Sequence, residues 1–217
     1  MSLKRAVSDG DKQKKRQLII DTAARLFRSS NFQDIKMIDV AKAAGMAKGT
    51  VFLYFRTKEE VFLELSKQNF SVFFTQANAA LEQALVSEEP RSVDTFSDSV
   101  TAILEMAPLM RPLASITSAI LEQNISYEAA LEYKTFLNSN LEKTGNMIEQ
   151  YFPALKPGAG VKILVWSFSL MIGLQQLSEP SEICKEVMSK APLPHLDMDF
   201  HEEFCNVLRI LLAGLGC

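Results

Sequence analysis

Lys48, Gly49 and Thr50 stand together ahead of an apolar-patterned stretch, and their types suit contact with a polyanion. A lysine ammonium pairs with phosphate or reaches a guanine edge. A glycine lets a backbone approach a duplex closely. A threonine offers its hydroxyl to phosphate or base and its methyl to thymine. If the three open a helix, the backbone N–H groups there add a preference for phosphate. Tyr54 brings a hydroxyl to the nucleic-acid backbone from the far end of that helix, and Lys58, opening the next one, brings an ammonium. Other chemistry is thinly supplied. The chain has two histidines, His195 and His201, and no GxSxG, HExxH or Gly-rich phosphate loop after a strand, so no catalytic set and no cofactor is expected. The segment 195–203 holds metal-ligating types. Asp199 and Glu202 within it read better as a capping box with acids at the positive end of the last helix, so no metal is expected. Cys184, Cys205 and Cys217 form no CxxC pair and fit a reducing cytoplasm.

These residues need a scaffold, and residues 40–54 fit two short helices joined by a tight turn. Ala41 is small where the helices cross. Gly45 sits where the turn favours a positive φ. Val40, Ala44, Met46 and Val51 supply the apolar contacts, and the second helix is left to lie in a major groove. Upstream, Ile19, Ala23, Leu26 and Phe27 make one apolar face of a helix over 11–30, ending at Asn31 in a left-handed cap. Downstream, Thr57 and Glu60 form a capping box opening a long helix to about residue 85, with Val61, Leu65, Val72 and Phe73 on its apolar face. Beyond the polar break at 87–91, periodicity predicts helices over 93–106, 109–115, 116–122 running on or restarting through 127–152, 161–177, 181–190 and 200–213. A loop with Pro192 and Pro194 covers 191–196. No window alternates with period two. The fold class is all-α: an N-terminal head over 1–57 and an all-helical body over 58–217.

Composition agrees with a folded chain. The protein has 217 residues, 47% hydrophobic and 23% charged, which excludes wholesale disorder and fibrous classes. Its net charge of −3 argues against a nucleic-acid partner until its distribution is examined. Residues 1–58 carry 13 Lys and Arg against 5 acids, a charge of +8. The remainder carries 10 against 21, a charge of −11. That asymmetry points to a polyanion at the basic end. The N-terminus has no apolar signal core. The longest nearly apolar run, 163–174, is 12 residues, short of the ~20 that span a bilayer, so no membrane association is expected and the cytoplasm is the expected compartment.

Residues 18–65, with AKAAGMAKGT followed by YFRTKEEVF, resemble the N-terminal domain of TetR-type transcriptional regulators. The resemblance implies a three-helix, helix-turn-helix DNA-binding domain followed by a divergent all-helical domain that binds a small molecule and dimerises. It places Lys48, Gly49, Thr50, Phe52, Leu53, Tyr54 and Lys58 at DNA-contact positions, with Lys36 at the entry to the second helix. The sequence departs from the family's usual wording at four positions. Phe52 stands for a common Tyr, and Leu53 for His, Tyr or Trp. Ile35 and Lys36 replace Thr and Ser or Thr, so Asp34 is the expected substitute cap. The partners implied are a palindromic double-stranded operator, a small-molecule effector and a second copy of the chain. The function implied is that of a repressor relieved by an apolar or amphipathic effector. A ligand-dependent activator, a corepressor-type regulator, and an enzyme or carrier for an apolar molecule are the alternatives.

Aromatic and Met side chains on the later helices suit a small-ligand cavity. The candidates are Phe70, Phe74, Met106, Met110, Tyr127, Tyr133, Phe136, Trp166 and Met171, with Gln175 among the polar contacts. The two most apolar late helices are expected to form the dimer interface through Trp166, Leu170, Leu174, Val207, Leu208 and Leu211. The resemblance implies a four-helix contact there, and two heads on two half-sites call for two-fold symmetry.

Overall fold

The computed structural model describes residues 2–193 and 195–217, with side chains described from Gly10 onward; Pro194, expected in the loop, lies outside the described residues. Among the described residues every regular element is helical. The chain forms two compact units. The first runs to Gln68 and takes in Ile116–Tyr133. The second comprises Asn69–Ser115 and Lys134–Cys217. The boundary between them falls inside helices, not at the expected break after residue 57.

The first unit holds α1 (Ser2–Phe27), α2 (Met37–Ala43), α3 (Lys48–Phe52), the first turns of α4 (Lys58–Val86) and a 3₁₀ turn at Leu121–Gln123. Its core follows from the sequence pattern. Ile19, Ile20 and Ala23 of α1 are buried with Val40 and Ala41 of α2 and Val51 of α3. Phe62 on α4 is fully buried, with the rings of Phe27 and Phe32 edge-on to it at centroid distances of 5.4 and 5.0 Å. Helix α1 starts well before residue 11, because no proline stops it from propagating outward from its packed half. It ends at Phe27, and Asn31 does not take the left-handed cap predicted for it. Among the described residues, positive φ is confined to Gly45, Gly158 and Gly216.

The second unit holds the rest of α4, α5 (Val93–Glu105), most of α6 (Met110–Thr117), α7 (Tyr127–Tyr151) from Lys134 onward, α8 (Ala159–Ser178), α9 (Glu182–Lys190) and α10 (Phe200–Gly214). Helix starts are capped as their sequences dictate. Ser92 Oγ accepts from Thr95 N at 3.1 Å, and Asp199 Oδ1 accepts from Glu202 N at 2.8 Å. Phe70, Phe73 and Phe74 of α4 share one apolar core with Ile148 of α7, Ile163 and Met171 of α8 and Leu208 and Leu212 of α10. Inside it a buried hydrogen bond of 2.7 Å from Thr144 Oγ1 to Asn78 Oδ1 ties α7 to α4. Helices α7 and α8 meet backbone to backbone: a Cβ on Gly160 would lie 2.0 Å from the Gly145 carbonyl oxygen. Glu149 Oε1 accepts from Gly160 N at 3.0 Å, satisfying one of the unpaired donors at the start of α8.

Helix α8 extends the expected 161–177 by two residues at its start and one at its end. It has 20 residues, with an 18-residue stretch of mean hydropathy 1.3, and is long and apolar enough to cross a membrane by length and composition alone. Its Ile163, Met171 and Gln175 face is nevertheless buried in the core of the second unit.

Candidate nucleic-acid interface and ligand cavity

In the first unit, the turn between α2 and α3 is built as the sequence requires. Gly45 has φ +66°, and Met46 N donates to Ala41 O at 2.9 Å, closing the chain tightly around buried Ala41. The entry to α2 differs from expectation. Asp39, not Asp34, supplies the carboxylate: its Oδ2 accepts from Lys36 N at 3.0 Å, the reach-back half of a capping box. Lys36 itself is exposed at this entry.

Helix α3 is anchored by one face. Val51 and, just past the helix, Phe55 are buried, so the helical phase turns Lys48, Gly49, Phe52 and Leu53 outward. Leu53 is 84% exposed and Phe52 40% exposed. The Lys48 ammonium lies 5.6 Å from the Phe52 ring centroid, one helical turn on. Thr50 and Tyr54 are half-buried at the edges of this face. Regular α-helix stops at Phe52, two residues before the predicted end. Leu53 and Tyr54 continue as tighter turns, with N–H bonds to Thr50 O and Val51 O at 3.2 and 3.0 Å.

Lys58, expected to meet a phosphate, is turned toward the protein in this structure. Its Nζ donates to Phe32 O at 2.8 Å and Ile35 O at 2.9 Å, approaches Gln33 O at 3.5 Å, and sits 4.1 Å from the Phe32 ring centroid. An ammonium has three donors, and these are turned inward on the segment between α1 and α2. Lys58 props that loop.

A polar clasp that the sequence reading missed surrounds the start of α4. Thr57 Oγ1 accepts from Glu60 N at 3.2 Å, half of the expected capping box, and donates to Asn124 O at 2.9 Å. The Glu60 carboxylate reaches past Thr57 and accepts from Arg56 N at 2.9 Å and Ser126 N at 3.2 Å. Burial pushes the Glu60 pKa up, but those N–H bonds outweigh it and hold the group below the usual carboxylate value. Tyr133, predicted to contact ligand, belongs to this first unit; its buried hydroxyl lies 3.2 Å from Ser66 Oγ. Tyr127 is also in this unit and is 76% exposed. Neither faces the cavity described next. Burial raises the Tyr133 pKa.

The second unit holds a partly open apolar pocket with a volume of about 170 Å³. Of the predicted ligand residues, Phe70, Phe74, Met110 and Met171 line it. Met106 is exposed, Trp166 is half-exposed, and Phe136 packs on the core without reaching the cavity. Gln175 is buried beside it without lining it. Phe73 and Phe168, aromatics of the same later helices, line it as well, and Phe96, Leu104, Ile148 and Phe204, not predicted, are among the residues that complete the wall. Phe73 was legible, since it sits three residues after Phe70 on one helix face. Leu208 was expected at a dimer interface. It is fully buried and lines the cavity, because α10 turns that position inward onto α5 and α8. The other dimer candidates on these helices are at least partly accessible.

Two family descriptions match the chain, dividing it near residue 66. A sequence profile described as "Bacterial regulatory proteins, tetR family" matches residues 19–65, and one described as "Tetracyclin repressor-like, C-terminal domain" matches residues 67–217. The "Fatty acid metabolism regulator protein" of Bacillus subtilis (strain 168) is 28% identical over 78 residues, which cover 36% of this chain and 40% of that protein. The chain thus spans well under two thirds of that relative. The fatty acid degradation regulator FadR from Bacillus halodurans aligns with a TM-score of 0.57 at 19% identity, over 93% of this chain and 96% of that one. The regulator PfmR from Thermus thermophilus aligns with a TM-score of 0.57 at 18% identity, over 91% and 98%. At such identities the likeness is one of fold.

Proposed function

Because the chain belongs to the TetR family of bacterial regulatory proteins, we propose that it is a DNA-binding transcriptional repressor of the cytoplasm, released from its operator by a small apolar or amphipathic molecule. The observation that carries this reading is the outward face of α3. Phe52 and Leu53 stand in water beside Lys48 and Gly49, while Val51 and Phe55 hold the helix down. An apolar pair held on a basic, glycine-opened helix suits thymine methyl groups between flanking phosphates.

The functional unit is a homodimer. Along α8, Val165, Trp166, Ser169, Gly173, Gln176 and Leu177 are exposed and fall on one face. On α10, Asn206, Ile210 and Ala213 do the same, with Ile210 71% exposed. A second copy covers both stripes and sets two heads on two half-sites. The effector occupies the cavity in the second unit. Helix α4 carries Phe70, Phe73 and Phe74 on that wall and runs unbroken to Lys58. An effector that prefers one placement of α4 shifts the population of DNA-competent dimers.

The test is selection of bound sequences from random duplexes, followed by gel-shift titration of the selected site. The Lys48→Ala, Thr50→Ala double variant should lose at least tenfold in affinity and part of its site preference. Unchanged affinity and preference in that variant would remove α3 as the reading element.

A further inference from the structure

Resting on the homodimer reading above, we propose that α9 and the segment after it form a further part of the dimer contact. They make an arm whose apolar face is covered by the other copy of the chain.

Helix α9 (Glu182–Lys190) has nine residues and buries none of its side chains. An isolated helix shorter than ~12–15 residues is marginal in water, so its stability has to come from packing. Its pattern is that of a packed helix. Ile183, Cys184, Val187 and Met188 fall on one face, and Glu182, Lys185, Glu186 and Lys190 fall on the other. Yet Ile183 is 70% exposed, Val187 53% exposed, and Cys184 is exposed beside them.

Three features of the chain identify the occupant of that face as a second copy. The first is continuity. Leu177 belongs to the exposed stripe of α8, and with Met188, Leu193 and Leu196 it also lines a groove of about 580 Å³ beside α9. Leu177, Leu193 and Leu196 are exposed. The apolar surface thus passes from α8 through Leu177 onto the arm, and the arm leaves α8 and returns to α10, the two helices that carry the dimer stripes. The second is size. Those stripes, with half-buried Leu170, Leu174, Val207 and Leu211, supply thirteen residues. A stable interface takes roughly 20–30 a side, and the arm extends the surface toward that number. The third is charge. Lys185 pairs with Glu182 at 2.8 Å and Lys190 pairs with Glu186, so the polar face of α9 is neutral. An amphipathic helix that lies on an anionic membrane carries a Lys- and Arg-rich face instead. A copy of the same chain meets a self-paired face without repulsion, and two-fold symmetry lets each copy cover the arm of the other.

The test compares wild type with an Ile183→Gln, Val187→Gln double variant of the full chain, by sedimentation over a range of concentrations. Gln favours helix more than Ile or Val does, and both positions are exposed in the single chain. The variant monomer should therefore keep its helix content and melting temperature. Its dimer dissociation constant should rise about a hundredfold, the equivalent of two apolar side chains that no longer gain from burial. In wild type, Cys184 should be alkylated more slowly above the dissociation constant than below it. Cys205 is buried and Cys217 half-buried, and burial raises the pKa of both thiols, so the fast-reacting thiol reports on α9. An unchanged dissociation constant in the double variant, or equal alkylation of Cys184 in dimer and monomer, would overturn the arm and leave the homodimer reading standing. A variant monomer that melts lower assigns the face to its own chain and overturns the proposal as well. So does binding of wild type, but not of the variant, to phosphatidylglycerol vesicles, which assigns the face to lipid. Wild type that stays monomeric at every concentration defeats the homodimer reading itself, and the arm with it.

Discussion

Gly49 is a glycine the folded chain does not need. A Cβ at that position meets nothing within 4 Å, and its φ lies outside the left-handed region. Alanine there should raise stability by about 0.5–1 kcal/mol through helix propensity. If the glycine is kept for close approach to a duplex, Gly49→Ala should melt slightly higher yet bind its operator several-fold more weakly. Wild-type affinity in that variant would show that the residue has no role at the groove. Lys58 yields the opposite pairing of effects. Removing its ammonium in Lys58→Met leaves the carbonyls of Phe32 and Ile35 without a partner. That should cost about 1–3 kcal/mol in a denaturant melt. The slope of log affinity against log salt should stay unchanged, because no phosphate contact is lost. A slope reduced by about one unit would restore the phosphate role first read from its position. The contrast shows what a sequence conveys at this scale. Lys48 was legible because Val51 and Phe55 fix the helical phase around it. Lys58 was not, because its partners are backbone carbonyls more than twenty residues away, and carbonyls carry no side-chain signature.

At the scale of elements, the helix starts were the legible part, since Ser92 and Asp199 announce themselves by type and spacing. Two features were hidden because they join residues far apart in sequence. One is the crossing of α7 and α8. A Cβ on Gly160 would overlap the Gly145 carbonyl, so the two backbones must part to admit it. Gly160→Ala should destabilise the second unit by about 2 kcal/mol or more despite its better helix propensity. A melt within 1 °C of wild type would disprove the close crossing. The other is the clasp on Glu60, whose pKa is held below 4.5 by the N–H groups of Arg56 and Ser126 against the opposing effect of burial. A depressed carboxylate adds stability above its unfolded pKa and loses it as the pH falls through the folded one. Wild type should therefore exceed Glu60→Gln in unfolding free energy at about pH 6, and the gap should close toward about pH 3. A gap that stays constant with pH would mean that the carboxylate charge contributes nothing to the clasp.

For the molecule as a whole, the net charge of −3 and the α8–α10 surface bear on one question: how a protein acidic overall holds DNA. The head segment carries +8 and the rest −11, so the same chain attracts a duplex at one end and repels it elsewhere. A single head of this size, with a five-residue reading helix, offers few base contacts. Linking two heads turns the second encounter into an intramolecular one and raises affinity without any new contact. Gly173 is where that linkage can be cut cleanly. It lies mid-helix on the exposed face of α8, and a Cβ there meets nothing within 4 Å, so the chain's own packing gives no reason for a glycine. Close approach by a second copy does. Gly173→Leu should leave helix content and melting unchanged or improved at low concentration and shift sedimentation from dimer to monomer. It should also weaken operator binding by roughly a hundredfold, at the lower end of what linkage of two sites supplies. A variant that stays dimeric places the two-fold contact elsewhere on the body, and one that turns monomeric yet keeps its operator affinity shows that a single basic head suffices.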